Sequence, residues 1–329
     1  MVSIVIPLHN CESFIKQAIE SCLSQTYREI EVIIVDDGSV DKGLEIAKMF
    51  GDRVQCHAGP NRGGSAARNR GIASARGEFL VFLDADDYLV ENAIEVQLNI
   101  SAQFTEEQRT IAYGNARKVD VYGNPIGDLD FAVHPKDMDP VLVMLTKNPV
   151  TTCPLHRRKF LEDVGGFDET LPRGQESDLH LRLALAGVKF FHHPDIVYYY
   201  RQHQSAHRIT DGVASRFGRT FGLDYVKKRH GQLRKKFGEE LPLPIAHALS
   251  QHYWREGRAI LREGYPDIAR ECFVEARALG KSRYIAGEWQ YRAICGFIGP
   301  FRAEKLCGLL RRPTTTAQSD KCERSGPIS

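Results

Sequence analysis

With 329 residues, 42% of them hydrophobic and 26% charged, the chain holds enough apolar material for one large or two ordinary domains and has a soluble globular balance. No apolar run nears the ~18–20 residues of a membrane span, and the start reads as a strand rather than a signal peptide, so a cytoplasmic protein is expected. The net charge of +2 hides a division: residues 1–200 carry 20 Lys+Arg against 29 Asp+Glu, and residues 201–329 carry 24 against 13. The basic part suits an anionic partner or surface, or a solvated Arg-rich helical face. Eight cysteines without a C-x-x-C pair argue against a zinc site and give no disulfide framework.

The first 87 residues alternate strand and helix. Val2–Pro7 reads as a strand, and Cys11–Gln25 as a helix with Phe14, Ile15, Ala18, Ile19, Cys22 and Leu23 on one face. Glu31–Val35 is a second strand, ending in Asp36-Asp37-Gly38-Ser39. A helix over Asp41–Phe50, a strand at Val54–His57 and a small-residue helix over Gly64–Ala75 follow. Phe79–Leu83 is a fourth strand, apolar enough to be buried on both faces, and it runs straight into Asp84, Asp86 and Asp87. This alternation implies right-handed βαβ units and a parallel sheet. Such a sheet gathers Pro7-Leu8-His9-Asn10, Asp36-Asp37 and Asp84–Asp87 on one edge, where α/β sheets bind ligands. In an extended chain Asp84 and Asp86 would project to one side. Two oxygens there suit Mg²⁺ shared with phosphates, although Asp is also common in turns after strands. Neither G-x-G-x-x-G nor a P-loop is present. Asn61–Asn69 instead offers glycines, a helix start and the cations Arg62 and Arg68 to an anion; it also fits a plain Gly-permitted turn.

In order and spacing together, Val-Ser-Ile-Val-Ile-Pro (2–7), Val-Asp-Asp-Gly-Ser (35–39), Asn-Arg-Gly-Gly-Ser-Ala-Ala-Arg-Asn (61–69) and Leu-Asp-Ala-Asp-Asp (83–87) resemble family 2 of the inverting glycosyltransferases. The resemblance implies the α/β GT-A fold of nucleotide-diphospho-sugar transferases, a Rossmann-like, mostly parallel sheet flanked by helices. It places a catalytic domain at 1–210, with a donor half at 1–100 and an acceptor half at 101–210. It further implies that Pro7 and His9 line the nucleobase pocket, that Asp36 and Asp37 reach the base, and that Arg68 lies near base and metal. Asp84 would touch the ribose, and Asp86, with Asp84, would bind Mg²⁺ or Mn²⁺ bridging the donor diphosphate.

Between 88 and 150 the pattern gives a helix over Ala93–Gln103 and strands at Ile111–Gly114 and Val119–Tyr122, but no motif. Gly165-Gly166-Phe167-Asp168-Glu169 and then Gly174-Gln175-Glu176-Ser177-Asp178-Leu179 restore the signal, with a helix whose first turn carries the acids. The helix dipole favours acids there regardless of catalysis. In the family the matching segment reads Gly-Glu-Asp-x-Asp-Leu, and its third residue is the general base. Here that residue is Glu176 behind Gln175, a departure that leaves Asp178 as the alternative base. Tyr200-Arg201-Gln202-His203, with Ser205 after it, resembles the Tyr-Arg-x-His that closes the family's catalytic domain, and implies that Arg201 and His203 approach diphosphate and metal. His192 and His193 read as structural, and Thr151–Leu155 borders the acceptor by family position alone.

Residues 211–312 read as a basic helical extension. A helix over Ala214–His230 is followed by the breakers Pro242 and Pro244. Near 250–280, Trp254, Gly257 and Ala259 and then Ala269, Phe273 and Ala276 resemble one tetratricopeptide helix pair, which cannot bury its own face alone. Packing on the catalytic domain or on a partner is therefore expected. Residues 283–312 form an amphipathic helix interrupted by Pro300, whose aromatics beside arginines suit a membrane surface as well as ordinary packing. Residues 313–329 read as a disordered tail.

The expected activity is metal-dependent, inverting transfer from a nucleotide-diphosphate sugar, UDP-linked, to a hydroxyl of a glycan or lipid-linked glycan in surface-polysaccharide or glycolipid assembly. No nucleic-acid partner is expected, and peripheral association with the inner face of a membrane is allowed. The competing readings are a nucleotidyltransferase, and a non-catalytic sugar-nucleotide-binding scaffold in which Gln175-Glu176 marks lost catalysis.

Overall fold

In the computed structural model, which describes residues 1–131, 138–203, 218–280 and 285–310, the opening β-branched run is strand β1 (Val2–Leu8). After it come α1 (Ile15–Leu23), β2 (Ile30–Asp37), α2 (Gly43–Lys48), β3 (Gln55–Gly59), α3 (Gly64–Ser74) and β4 (Phe79–Phe82). β1 pairs in parallel with β2 on one side and β4 on the other, and β2 pairs in parallel with β3. The chain thus winds outward from β1 to β3 and then crosses back to lay β4 on the free side of β1. Strand order reverses between β1 and β4, and such a reversal opens a crevice at the carboxyl ends.

The next stretch supplies β5 (Tyr88–Leu89), α4 (Ala93–Ser101), β6 (Thr110–Val119), β7 (Pro125–Leu129), α5 (Pro140–Thr146), β8 (Pro154–Arg157), α6 (Arg158–Asp163), α7 (Gln175–Leu185) and β9 (Lys189–Arg201). β8 joins β4 to β6 with antiparallel pairing on both sides, and β9 runs parallel to β6 and antiparallel to β5. The sheet order is β3-β2-β1-β4-β8-β6-β9-β5, with β7 on β6. One core layer packs Ile4, Ile6 and Leu8 of β1 with Ile15, Ile19 and Cys22 of α1; the layer on the other face joins Val5, Ile33, Ala67, Phe82 and Leu179. α3 approaches that second face closely, because a Cβ on Gly71 would stand 2.2 Å from Val5 Cγ1.

Two local expectations change. β4 stops at Phe82, and the Asp87 N–H donates to the Asp84 carbonyl at 3.0 Å, so Asp84–Asp87 is a turn rather than an extended pair. No strand covers Val119–Tyr122: β6 ends at Val119, and the Asp120 carboxylate accepts the N–H groups of Tyr122 and Asn124, both at 2.9 Å, to form a turn.

Helices α8 (Phe221–Phe237), α9 (Leu243–Arg262), α10 (Pro266–Gly280) and α11 (Trp289–Leu310) follow. The chain separates into compact units at Leu249/Ser250, so α8 belongs to the unit that holds the sheet. Within the second unit Trp254 packs on Phe273 at 4.6 Å, and a Cβ on Gly257 would stand 2.9 Å from Cys272 Cβ. Buried Glu304 there receives Arg258 and Arg262. Gly299, at φ +76° ahead of Pro300, kinks α11. Among the described residues no helix is long and apolar enough to cross a membrane. The expected tail at 313–329, Ser205, and the ends of the expected helices at 214–217, 283–284 and 311–312 lie outside the described residues.

The edge of the sheet opposite the crevice is held by one carboxylate. Buried Glu31 accepts from Ser3 Oγ at 2.6 Å, from the Arg76 N–H at 2.7 Å and Nε at 2.9 Å, and from Gln55 Nε2 at 3.0 Å. Burial raises its carboxyl pKa, but the bonds from Ser3 and Arg76 outweigh it and hold the group below the ordinary value. Deeper in the fold, fully buried His156 of β8 and His180 of α7 stand with Nε2 atoms 3.4 Å apart, and His180 Nδ1 meets Asn148 Oδ1 at 2.9 Å. Burial drives the pKa of His156 down to about 3 and lowers that of His180, with His156 and Arg182 adding to the latter.

Glu31→Gln replaces a fourfold acceptor with an amide whose NH₂ faces donors, and is expected to cost about 2 kcal/mol in urea unfolding. The two histidines fix a pH dependence. Below their ordinary pKa near 6.5 the unfolded chain takes up protons that the fold refuses, so each lowers stability by about 1.4 kcal/mol per pH unit. Unfolding curves between pH 6.5 and 5 should therefore show a two-proton histidine contribution, halved in His156→Phe.

Candidate active site

The acids at the end of β2 organise the loop that faces them. Both oxygens of buried Asp37 accept backbone N–H groups, from Arg62 at 2.7 Å and from Gly63 at 2.8 Å. His9 donates through Nδ1 to the Asp37 carbonyl at 2.9 Å, and Asp36 Oδ1 accepts the Ser39 N–H at 3.2 Å. Pro7 lies half-buried two residues before His9. A cavity of about 460 Å³ opens beside these groups, lined by Asp36, Asp37, Pro60, Arg62, Asn69 and Arg70. Asn69 ties α3 to the Gly165–Glu169 segment: its Oδ1 accepts the Phe167 N–H at 2.7 Å, and its Nδ2 donates to Glu169 Oε1 at 2.9 Å.

The turn after β4 is pinned from β9. Arg201 is buried. Its N–H donates to Asp87 Oδ1 at 2.8 Å, Nε to the Asp86 carbonyl at 2.9 Å and Nη1 to the Val121 carbonyl at 3.2 Å, while Nη2 reaches Gln17 Oε1. The guanidinium is also flanked by the rings of Phe14 at 4.9 Å and Tyr88 at 5.1 Å. Its donors are therefore directed into the protein. Burial pushes the Asp87 carboxyl well above its ordinary range, and the Asp86 and Asp84 charges push the same way against the pull of Arg201. Asp86 is one third exposed, with His203 Nε2 2.9 Å from Oδ2 and the Phe14 ring beside that imidazole at 5.0 Å. Cys11 nearby is a neutral thiol, because burial and the charges of Asp86, Asp41 and Asp84 raise it to about 12.

Asp84 turns the other way. Its Oδ1 accepts from Arg68 Nη2 at 2.6 Å, and Arg68 Nη1 donates to Gln175 Oε1 at 2.9 Å. One guanidinium thus joins the turn after β4 to the first residue of α7, at the point where the sequence departs from the family's acid. Glu176 follows, half-buried in the first helical turn, and among the described residues no hydrogen bond or ion pair engages its carboxylate. Asp178 is fully buried, and Arg182 Nε at 2.7 Å, Lys228 Nζ at 2.7 Å and Gln232 Nε2 at 3.1 Å occupy its oxygens.

Asp84, Arg68 and Gln175 are therefore linked by hydrogen bonds, Asp86 and His203 form a second pair at the same turn, and Glu176 follows Gln175 at the start of α7. Sequence reasoning missed Phe14, Gln17 and the second role of Asp87. Periodicity assigns Phe14 to packing and gives the polar Gln17 no role, and the position of Asp87 in the acid run does not reveal its burial.

Residues 3–165 match the family model for Glycosyl transferase family 2. An uncharacterized glycosyltransferase of Haemophilus influenzae is 40% identical over 130 residues, which are 38% of this chain and 51% of that one. One from Rickettsia conorii is 34% identical over 188 residues, 56% of this chain and 31% of the relative. Across the relatives from R. conorii, R. bellii and R. felis the chain spans only 28–32% of their length. The crystal structure of S. aureus TarS 1–349 in complex with UDP-GlcNAc aligns with TM-score 0.50 at 18% identity, over 85% of this chain and 90% of that one, a likeness of fold. The α/β architecture expected from the motifs is the one observed. The motif order read from the sequence and the match over residues 3–165, just under half of the chain, thus point to the same family, glycosyl transferase family 2.

Proposed function

We propose that this chain transfers a sugar from a nucleotide-diphosphate donor to an acceptor hydroxyl with inversion, and that Glu176 is the base. The observation that supports it most is the Arg68 bridge, which ties the donor-side turn at Asp84 to the helix start that carries Glu176. Asp178 is spent on three partners, whereas among the described residues no hydrogen bond or ion pair engages the Glu176 carboxylate. In the reaction the acceptor oxygen forms a bond to the anomeric carbon as the bond to the diphosphate oxygen breaks on the opposite face. The hydroxyl proton passes to the Glu176 carboxylate, and general-base help of this kind is worth about 10²–10⁴-fold.

The Asp86 carboxylate and the His203 imidazole form a mixed oxygen and nitrogen donor pair that fits Mg²⁺ or Mn²⁺. Among the described residues no group of three His, Cys, Asp or Glu side chains converges as a metal site, so further ligands would come from diphosphate and water. When bound, the cation would supply positive charge at the departing diphosphate. Arg201 and Asp87 act by holding the turn that presents Asp86; Asp36 and Asp37 line the cavity offered to the base, and His9, two residues after Pro7, braces Asp37 from β1. A UDP-linked donor is the first choice, in line with UDP-GlcNAc bound to the fold relative TarS. A glycan or lipid-linked glycan is the acceptor class.

In the second unit, α11 leaves Trp289 73% and Phe297 91% exposed, with Arg292, Arg302 and Lys305 exposed on the same helix. We read this as a face for an anionic membrane surface.

A panel of UDP-, GDP- and dTDP-sugars with Mn²⁺ or Mg²⁺ should release nucleoside diphosphate from one donor. Asp86→Ala should abolish the release, and Glu176→Gln should slow it by about 10²–10⁴-fold. Pyrophosphate release would instead identify a nucleotidyltransferase, and donor binding without turnover in the presence of glycan acceptors would favour the scaffold. Co-sedimentation with phosphatidylglycerol-containing vesicles should retain the full chain at low salt and lose it in Trp289→Ala/Phe297→Ala; equal retention of the variant would refute the membrane face.

A further inference from the structure

Helix α8 lies beyond the segment that matches the family, yet three of its side chains end on the helix start that carries Glu176. Tyr225, Lys228 and Gln232 are spaced i, i+3 and i+7, one face of a helix. Tyr225 donates its hydroxyl to the Gly174 carbonyl at 3.0 Å. Gly174 is the N-cap of α7 at φ +71°, and a Cβ there would stand 2.8 Å from the Tyr225 ring. Lys228 Nζ lies 2.7 Å from Asp178 Oδ1 and 2.6 Å from Asp168 Oδ2, so one ammonium joins α7 to the loop before it. Gln232 Nε2 adds a third contact, to Asp178 at 3.1 Å. The contacted residues, 174 and 178, bracket Glu176. A helix that served only to cover the sheet would bury apolar side chains. α8 does so with Leu223, Val226 and Leu233, and in addition it turns a polar stripe onto this one turn.

We propose that α8 is a working part of the catalytic site, with Lys228 and Tyr225 as positioning residues that set the first turn of α7 and thereby aim Glu176. The proposal rests on the assignment of Glu176 as base. Without the ammonium, Asp178 is a buried carboxylate short of a partner, and such a group moves toward water or draws water in. Either response shifts the residue two positions earlier, and displacement of a reacting group by about 1 Å can cost on the order of 10²-fold in rate.

The test compares wild type, Lys228→Met, Lys228→Arg and Tyr225→Phe as full chains, by turnover and by hydrogen–deuterium exchange. With the donor identified by the panel, Lys228→Met should lower kcat by about 10–100-fold with donor KM unchanged, and Lys228→Arg should recover most of the loss. Exchange in Lys228→Met should quicken across 174–179 and stay as in wild type across 1–90. A folded Lys228→Met with wild-type kcat overturns the proposal, as does a loss confined to donor KM. If no donor turns over in wild type, it is the transferase reading that fails, and exchange alone then judges the brace: unchanged protection at 174–179 overturns it. If Lys228→Met does not fold, Tyr225→Phe, which removes one hydroxyl, carries the same comparisons.

Discussion

Anionic crowding at one edge of a sheet is the constraint on which the rest of this site depends. Asp36, Asp37, Asp84, Asp86 and Asp87 come together there because β1, β2 and β4 are parallel neighbours. Carboxylates so gathered repel one another and resist burial. The protein gives each a different solution. Asp37 is neutralised by backbone N–H groups of the loop it faces, and Asp84 by the guanidinium of Arg68. Asp87 is buried with its pKa pushed up, and only the N–H and charge of Arg201 oppose the shift. Asp36 takes the Ser39 N–H, and Asp86 stands beside an imidazole. The fold thus gives each of the five acids its own partner.

The same economy governs the helix on the far wall. Its first turn carries two acids, and the surroundings separate their roles. Asp178 is fixed between Arg182 and Lys228, whereas Glu176 is left to the site. The two lie two residues apart and differ in burial and in what faces them. Arg68 then connects this wall to the donor side through Gln175, so the glutamine at the departure from the family pattern acts as a neutral acceptor for a guanidinium. A carboxylate there would add one more negative charge to a crowded edge.

Much of this was legible in the sequence. Strand-end acids and the alternation of apolar runs with 3.6-period segments located the parallel half and its reactive edge, because both follow from local periodicity. The turn at Asp84–Asp87 was read as extended because alternation takes no account of where a strand's partners end; β4 pairs only through Phe82. The motif places Asp36, Asp37 and Arg201 near a ligand; in the fold Asp36 and Asp37 line the cavity and also hold the loop beside it, and the Arg201 side chain ends on the Asp86 carbonyl, Val121 and Gln17. Sequence spacing places a residue near a site but does not say which way its donors point. The contribution of α8 was invisible for a stronger reason. Tyr225 meets Gly174 at a sequence separation of 51, and no local pattern encodes such a pairing.

At the opposite edge, Glu31 of β2 gathers Ser3 of β1, Gln55 of β3 and Arg76 from the turn into β4. Its bonds anchor the strand starts while the strand ends carry the crevice loops. The sheet therefore behaves as a cantilever, clamped at one end and free to be refitted at the other. For protein engineering this marks where to cut: chimeras that exchange crevice loops between relatives should keep β1, β2 and the Arg76-Gly77 turn from a single parent, so that the clamp stays matched while donor selectivity is replaced.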